Sequence, residues 1–142
     1  MKKIILIGKR DSGKTTLIQK IMGHELIYQK TQSLDFYPKI IDTPGEYLEN
    51  KHYYKALLIT SMECDAVLLL QDICDNTCLY PPGFATMFNR CAIGILTKID
   101  LNTNSHATAE KCLKSTGVEK IFKVSSYNED GLIDLKKYLE YI

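Results

Sequence analysis

The 142-residue chain has no tryptophan, only four prolines, and almost no surplus of charge, since 18 basic residues face 17 acidic ones for a formal +1. It also lacks a polybasic tail, and with it the cationic excess by which a protein holds nucleic acid through phosphate neutralisation. Long apolar runs are missing too. The first, Ile4 to Ile7, is broken by Gly8, Lys9, Arg10 and Asp11 and is too short for a signal peptide. Ala66 to Leu70 falls far short of the roughly 20 residues that cross a bilayer. Neither nucleic acid nor membrane is expected as a partner, and the expected location is cytoplasmic. The five cysteines (Cys64, Cys74, Cys78, Cys91, Cys112) are odd in number and scattered, which reads as reduced thiols. A zinc site around Cys74 and Cys78 would need two more ligands at matching spacing, and His24, His52 and His106 are not so placed. With no linker, repeat or low-complexity stretch, residues 1–142 are expected to form a single domain.

What is present is an alternation of short apolar runs with amphipathic segments, the pattern of an α/β protein with a largely parallel sheet. Lys3 to Ile7, Ala66 to Leu70 and Ala92 to Leu96 are too short for helices and too uniformly apolar for half-solvated strands, so central strands covered on both faces are expected there. Lys39 to Ile41 and Ile121 to Val124 are shorter candidates. Ser33 to Phe36, separated from Lys39 only by Tyr37 and Pro38, points to an antiparallel hairpin at one sheet edge. Helices are expected over Lys14 to Met22, Tyr53 to Met62, Pro82 to Asn89, Ser105 to Ser115 with a stop at Gly117, and Leu132 to Tyr141.

Directly after the first strand stands Gly8-Lys9-Arg10-Asp11-Ser12-Gly13-Lys14-Thr15, a full G-x-x-x-x-G-K-[ST] string in its strand-to-helix context. Gly8 and Gly13 let the backbone wrap a pyrophosphate so that successive N–H groups, those of Asp11, Ser12 and Thr16 among them, and the positive helix end face the anion. Lys14 is expected to reach the β and γ phosphates, and the Thr15 hydroxyl to ligate a bridging Mg²⁺. Residues 1–20 hold six cations against Asp11 alone, so a nearly neutral chain has a basic end where phosphates would bind.

Further on, Asp42-Thr43-Pro44-Gly45-Glu46 closes another strand. Asp42 is placed to hold the metal's water shell, and the Gly45 N–H to touch a γ-phosphate. Thr31 is a candidate for completing the Mg²⁺ coordination, the alternative being an ordinary loop threonine. Two later strand ends deliver Thr97-Lys98-Ile99-Asp100 and Ser125-Ser126-Tyr127. Here the chain resembles the P-loop GTPases, whose base-reading loops run N-K-x-D and S-A-K. By that likeness the Asp100 carboxylate accepts from guanine N1–H and N2, Lys98 lies across base and ribose, and the Ser126 backbone faces O6. Adenine has no donor at N1 to offer Asp100, so GTP is favoured over ATP. Thr97 stands where those enzymes carry an asparagine that ties the loop to the phosphate loop, and Ser126-Tyr127 stands for Ala-Lys.

A narrower resemblance spans the whole chain. Lys30-Thr31-Gln32, Asp42-Thr43-Pro44-Gly45-Glu46-Tyr47, the helix containing Tyr53-Tyr54-Lys55-Ala56-Leu57 and the Pro81-Pro82-Gly83-Phe84 loop together look like the EutP/PduV family of ethanolamine and propanediol utilisation. The resemblance implies a three-layer, Ras-like P-loop fold, with a mostly parallel sheet of five to six strands and helices on both faces. It also implies a bacterial protein associated with metabolic microcompartments, with shell or pathway proteins as partners, and it brings two activities, a GTPase and an acetate kinase.

The residues leave three functions open. In a GTP hydrolase, Glu46 stands where Ras-like enzymes commonly position water with glutamine, and is either a proton acceptor or a solvated switch residue. Arg10 is either a built-in arginine finger or a partner of Asp11 or Glu46. Asp11 occupies a position that some related GTPases use for a monovalent cation. In an acetate kinase, Arg10 and Lys30 are the cations available to an acceptor carboxylate. A non-catalytic module would use nucleotide state only for docking. Tyr47, Tyr53 and Tyr54 either cover the sheet or mark a partner face.

Overall fold

Ile4–Ile7 form strand β1 at the centre of the sheet, buried at every position because strands flank it on both sides and helices cover both faces. The structure, a computed structural model, describes residues 3–10, 12–22, 35–37, 39–75, 77–99, 106–125 and 131–141. Parallel to β1 on one side runs β3 (Ile40–Asp42), and on the other β4 (Ala66–Asp72), β5 (Cys91–Thr97) and β6 (Lys120–Lys123) follow in turn. β2 (Asp35–Tyr37) pairs antiparallel with β3, with Phe36 opposite Ile41, so the order is β2-β3-β1-β4-β5-β6. The hairpin expected at one edge is there, with β2 at Asp35–Tyr37; Ser33 and Pro38 lie outside the described residues.

The pleat of β1 splits the core in two. Ile4 and Leu6 face α1 (Lys14–Met22) and α5 (Leu132–Tyr141), meeting Leu17, Ile18, Leu135 and Leu139. Ile5 and Ile7 face α2 (Glu46–Glu49), α3 (Tyr54–Ser61) and α4 (His106–Ser115), meeting Leu48, Leu57 and Leu113. Each such side chain contributes about 1.5–3 kcal/mol by leaving water, so the faces hold the sheet and its strand ends need not be apolar. That separation is what allows polar loops at the C-terminal ends of β1, β3, β5 and β6.

Two expectations are corrected. No α-helix forms over Pro82 to Asn89: Gly83 adopts a left-handed φ of 76°, and its N–H and that of Ala85 donate to the Ser115 and Thr116 carbonyls at the end of α4. Those bonds dock the loop on α4 and leave only a 3₁₀ turn at Phe84–Met87. The cysteines are not all separate thiols either, because Cys78 and Cys112 form a disulfide. Their 34-residue separation gives no local signal; the fold brings the segment after β4 against α4. Tyr47 and Tyr54 take the covering role, packing against the core. Tyr47 stacks on Tyr53 with ring centroids 4.5 Å apart, and Tyr54 meets the Phe84 ring edge-on at 5.2 Å.

Candidate functional site

The chain leaves β1 at Gly8 and re-enters regular structure at Lys14, the first residue of α1. Between them the backbone folds tightly. Ser12 N–H donates to the Lys9 carbonyl at 3.2 Å, Gly13 takes a left-handed φ of 95°, and a Cβ on Gly8 would lie 2.6 Å from Ser12 Oγ. Ser12 Oγ is buried without a hydrogen-bond partner among the described residues. Lys14, only 7% exposed, turns its ammonium back over this loop to donate to the Gly8 carbonyl at 3.1 Å. Thr15 and Thr16 follow, half-buried, in the first turn of α1.

Asp42 ends β3 beside β1, in register with Leu6, and is 1% exposed. Thr43 fixes the chain just beyond it by donating from Oγ1 to the Leu6 carbonyl at 2.7 Å. Gly45 then lies directly on the phosphate loop: a Cβ there would fall 2.5 Å from the Arg10 nitrogen, so only glycine permits the approach. Glu46 opens α2. Arg10 pairs loosely with Glu49, Nε to Oε2 3.9 Å, rather than with Glu46, and its side chain remains 59% exposed.

Thr97 ends β5, and its hydroxyl donates to the Ser12 carbonyl at 2.7 Å. The tie that asparagine makes in the typical GTPase string is therefore made here by threonine. Lys98 sits at a positive φ of 62°, a conformation costing a non-glycine residue about 1–2 kcal/mol. Its ammonium lies 2.7 Å from Asp72 Oδ2. Ser125 is fully buried just past β6, where Ile99 N–H reaches the Val124 carbonyl at 3.3 Å and joins the ends of β5 and β6. Asp11, Lys30, Thr31, Asp100 and Ser126 lie outside the described residues.

Several supporting residues carried no motif signal. Asp75, after β4, pairs with Lys9 of the phosphate loop. Burial would raise its pKa, but the Lys9 ammonium and the Thr77 amide outweigh that and hold the carboxyl below the ordinary 3.8. Gln71 Nε2 donates to the Asp75 and Thr77 carbonyls at 3.1 and 3.3 Å, fixing that segment. Tyr80 is fully buried, which pushes its pKa up and keeps it a hydroxyl; it lies 2.7 Å from the Leu70 carbonyl and 3.0 Å from that of Ile7. Between Lys9, Arg10 and Ser12 on one side and Asp72, Asp75 and Lys98 on the other opens a cleft of about 330 Å³.

A strand, a glycine-bounded loop and a helix, set at the centre of this strand order, define the P-loop NTPase fold of the Ras-like type. Roco2 RocCORdC of Methanosarcina barkeri, solved bound to GDP, has the same fold, with a TM-score of 0.65 at 19% identity over 98% of this chain and 47% of that one. The chain belongs to the ethanolamine utilisation and propanediol utilisation family, PduV-EutP, whose model matches residues 1–141. The propanediol utilization protein PduV of Citrobacter freundii is 39% identical over 98% of this chain and 93% of its own length. A probable acetate kinase, EutP of Escherichia coli, is 31% identical over 98% of this chain and 89% of its length.

Proposed function

We propose that the chain binds and hydrolyses a nucleoside triphosphate with Mg²⁺, GTP in preference to ATP, in ethanolamine or propanediol utilisation. The observation that carries this reading is the Thr97 hydroxyl on the Ser12 carbonyl. It ties the end of β5 to the phosphate loop, so that one ligand with a base at one end and phosphates at the other would touch both. Gly8, Gly13 and the α1 N-terminus would cradle phosphate oxygens, and the orphaned Ser12 Oγ and the inward-turned Lys14 fit an anion there. Thr15 and Asp42 offer the hard oxygen donors that suit Mg²⁺, with Thr31 as a third candidate. When bound, the metal neutralises charge on the β and γ phosphates.

Within that reading Gly45 N–H would meet the γ-phosphate, Glu46 would accept a proton from the attacking group, and Asp100 with Ser126 would choose guanine. A second reading, phosphoryl transfer to acetate, is favoured by the exposed Arg10 guanidinium at the cleft mouth and by the acetate-kinase name of the Escherichia coli relative. In either reading a microcompartment would be the setting, with shell or pathway proteins as neighbours. Turnover of GTP and ATP, with and without acetate, separates the readings when both inorganic phosphate and acetyl phosphate are scored. Hydrolysis predicts phosphate release from GTP that is indifferent to acetate. Acetyl phosphate appearing with acetate would move the assignment to a kinase, and no release above solution controls would leave only a docking module.

A further inference from the structure

β6 is the last strand of the sheet: its residues pair with Ile93 to Leu96 of β5, and among the described residues no strand pairs with its outer side, although Gly131 packs against the Lys123 carbonyl at its C-terminal end. Alongside that edge runs a groove of about 670 Å³ between β6 and α5. Its floor is aromatic, with the Phe122 and Tyr138 rings 5.1 Å apart. Two lysines, Lys120 and Lys137, line it against Asp134 as the acid of the lining. Lys120 is placed rather than loose, because its ammonium sits 4.9 Å from the Phe122 ring centre and 5.2 Å from that of Tyr138. Lys123 faces the other side of the strand, 3.8 Å from Glu110 of α4.

An open strand edge is a template for another extended chain, and lysines on it repel cationic strands and attract acidic ones. We propose that the outer edge of β6 receives an extended acidic segment of a partner protein as an added strand. Side chains of the added strand alternate between the two faces of the sheet. Carboxylates at every second position reach Lys120 and Lys137 over the aromatic floor, and the intervening apolar residues lie on the Ile121 side. A second copy of this chain is disfavoured as occupant, since it would bring lysine against lysine.

The test is an amide-resonance titration of the ¹⁵N-labelled protein with a short blocked peptide alternating valine and glutamate, beside its valine and glutamine counterpart. The amides of residues 120–123 should shift with the glutamate peptide. Its affinity should fall by about tenfold or more with glutamine in place of glutamate, and by a similar factor in Lys120→Glu/Lys137→Glu. Lys137→Glu alone, at an exposed helix position, should show the same direction if the double variant loses its fold. Absence of binding, equal affinity for both peptides, or shifts confined to residues 8–16 would overturn the proposal. So would concentration-dependent shifts of residues 120–123 in the protein alone, which would mark self-association at this edge.

Discussion

Thr97 concentrates what single residues contribute here. Its hydroxyl gives the buried Ser12 carbonyl a donor 2.7 Å away, and removing a buried partner costs about 1–3 kcal/mol. Thr97→Ala should therefore weaken GTP binding by on the order of tenfold while Thr97→Ser retains it, measured by equilibrium titration. If alanine binds as well as serine, the tie plays no part in assembling the site. The sequence shows Thr97 only as a departure from asparagine, because a string comparison records the changed residue and not a hydroxyl that reaches the phosphate loop. Lys9 and Asp75 were illegible for a different reason: they pair across two loops 66 positions apart, and no local pattern announces it. Their ion pair, partly exposed, is worth about 1 kcal/mol or less. Because the Asp75 pKa lies below 3.8 in the fold, this contribution is whole above that pH and is lost as pH falls through the lower value. Acid unfolding of Asp75→Asn should accordingly show a shallower loss of stability below pH 3.8 than the parent protein, by circular dichroism.

At the scale of elements, the central strands and the helices α1 and α5 were readable because burial on both faces and amphipathic spacing write themselves into local sequence. The segment from Thr77 to Phe88 was not. Proline followed by a mixed apolar run reads as a helix start, but the Gly83 and Ala85 amides find better partners at the end of α4. Phe84 adds ring contacts to Tyr54, Tyr80 and Phe88 at 5.2 to 5.4 Å, and the Cys78–Cys112 bond closes the arrangement. A covalent loop spanning 34 residues restricts the unfolded chain by roughly 3–4 kcal/mol in the chain-entropy description. Urea unfolding with and without reductant should differ by about that amount, and Cys78→Ser should be insensitive to reductant. Equal stabilities of oxidised and reduced protein would show that the docked aromatic loop alone sets the geometry.

On the scale of the molecule, the two core clusters leave the C-terminal strand ends as the place where polar chemistry can gather. β1 supplies the phosphate loop, β3 supplies Asp42 and Gly45, and β5 and β6 supply two strand ends joined by the Ile99 amide on the Val124 carbonyl. The outer edge of β6 stands apart from that cluster and carries a different chemistry, cationic and aromatic. The central claim is that the cluster holds the base and phosphates of GTP at once. It is tested most directly by calorimetric titration of the protein and its Lys14→Ala variant with GTP and with ATP in the presence of Mg²⁺. The account predicts GTP bound more tightly than ATP, with affinity falling by on the order of 10- to 100-fold in Lys14→Ala. GTP binding that survives Lys14→Ala unchanged, or ATP bound as tightly as GTP, would contradict it.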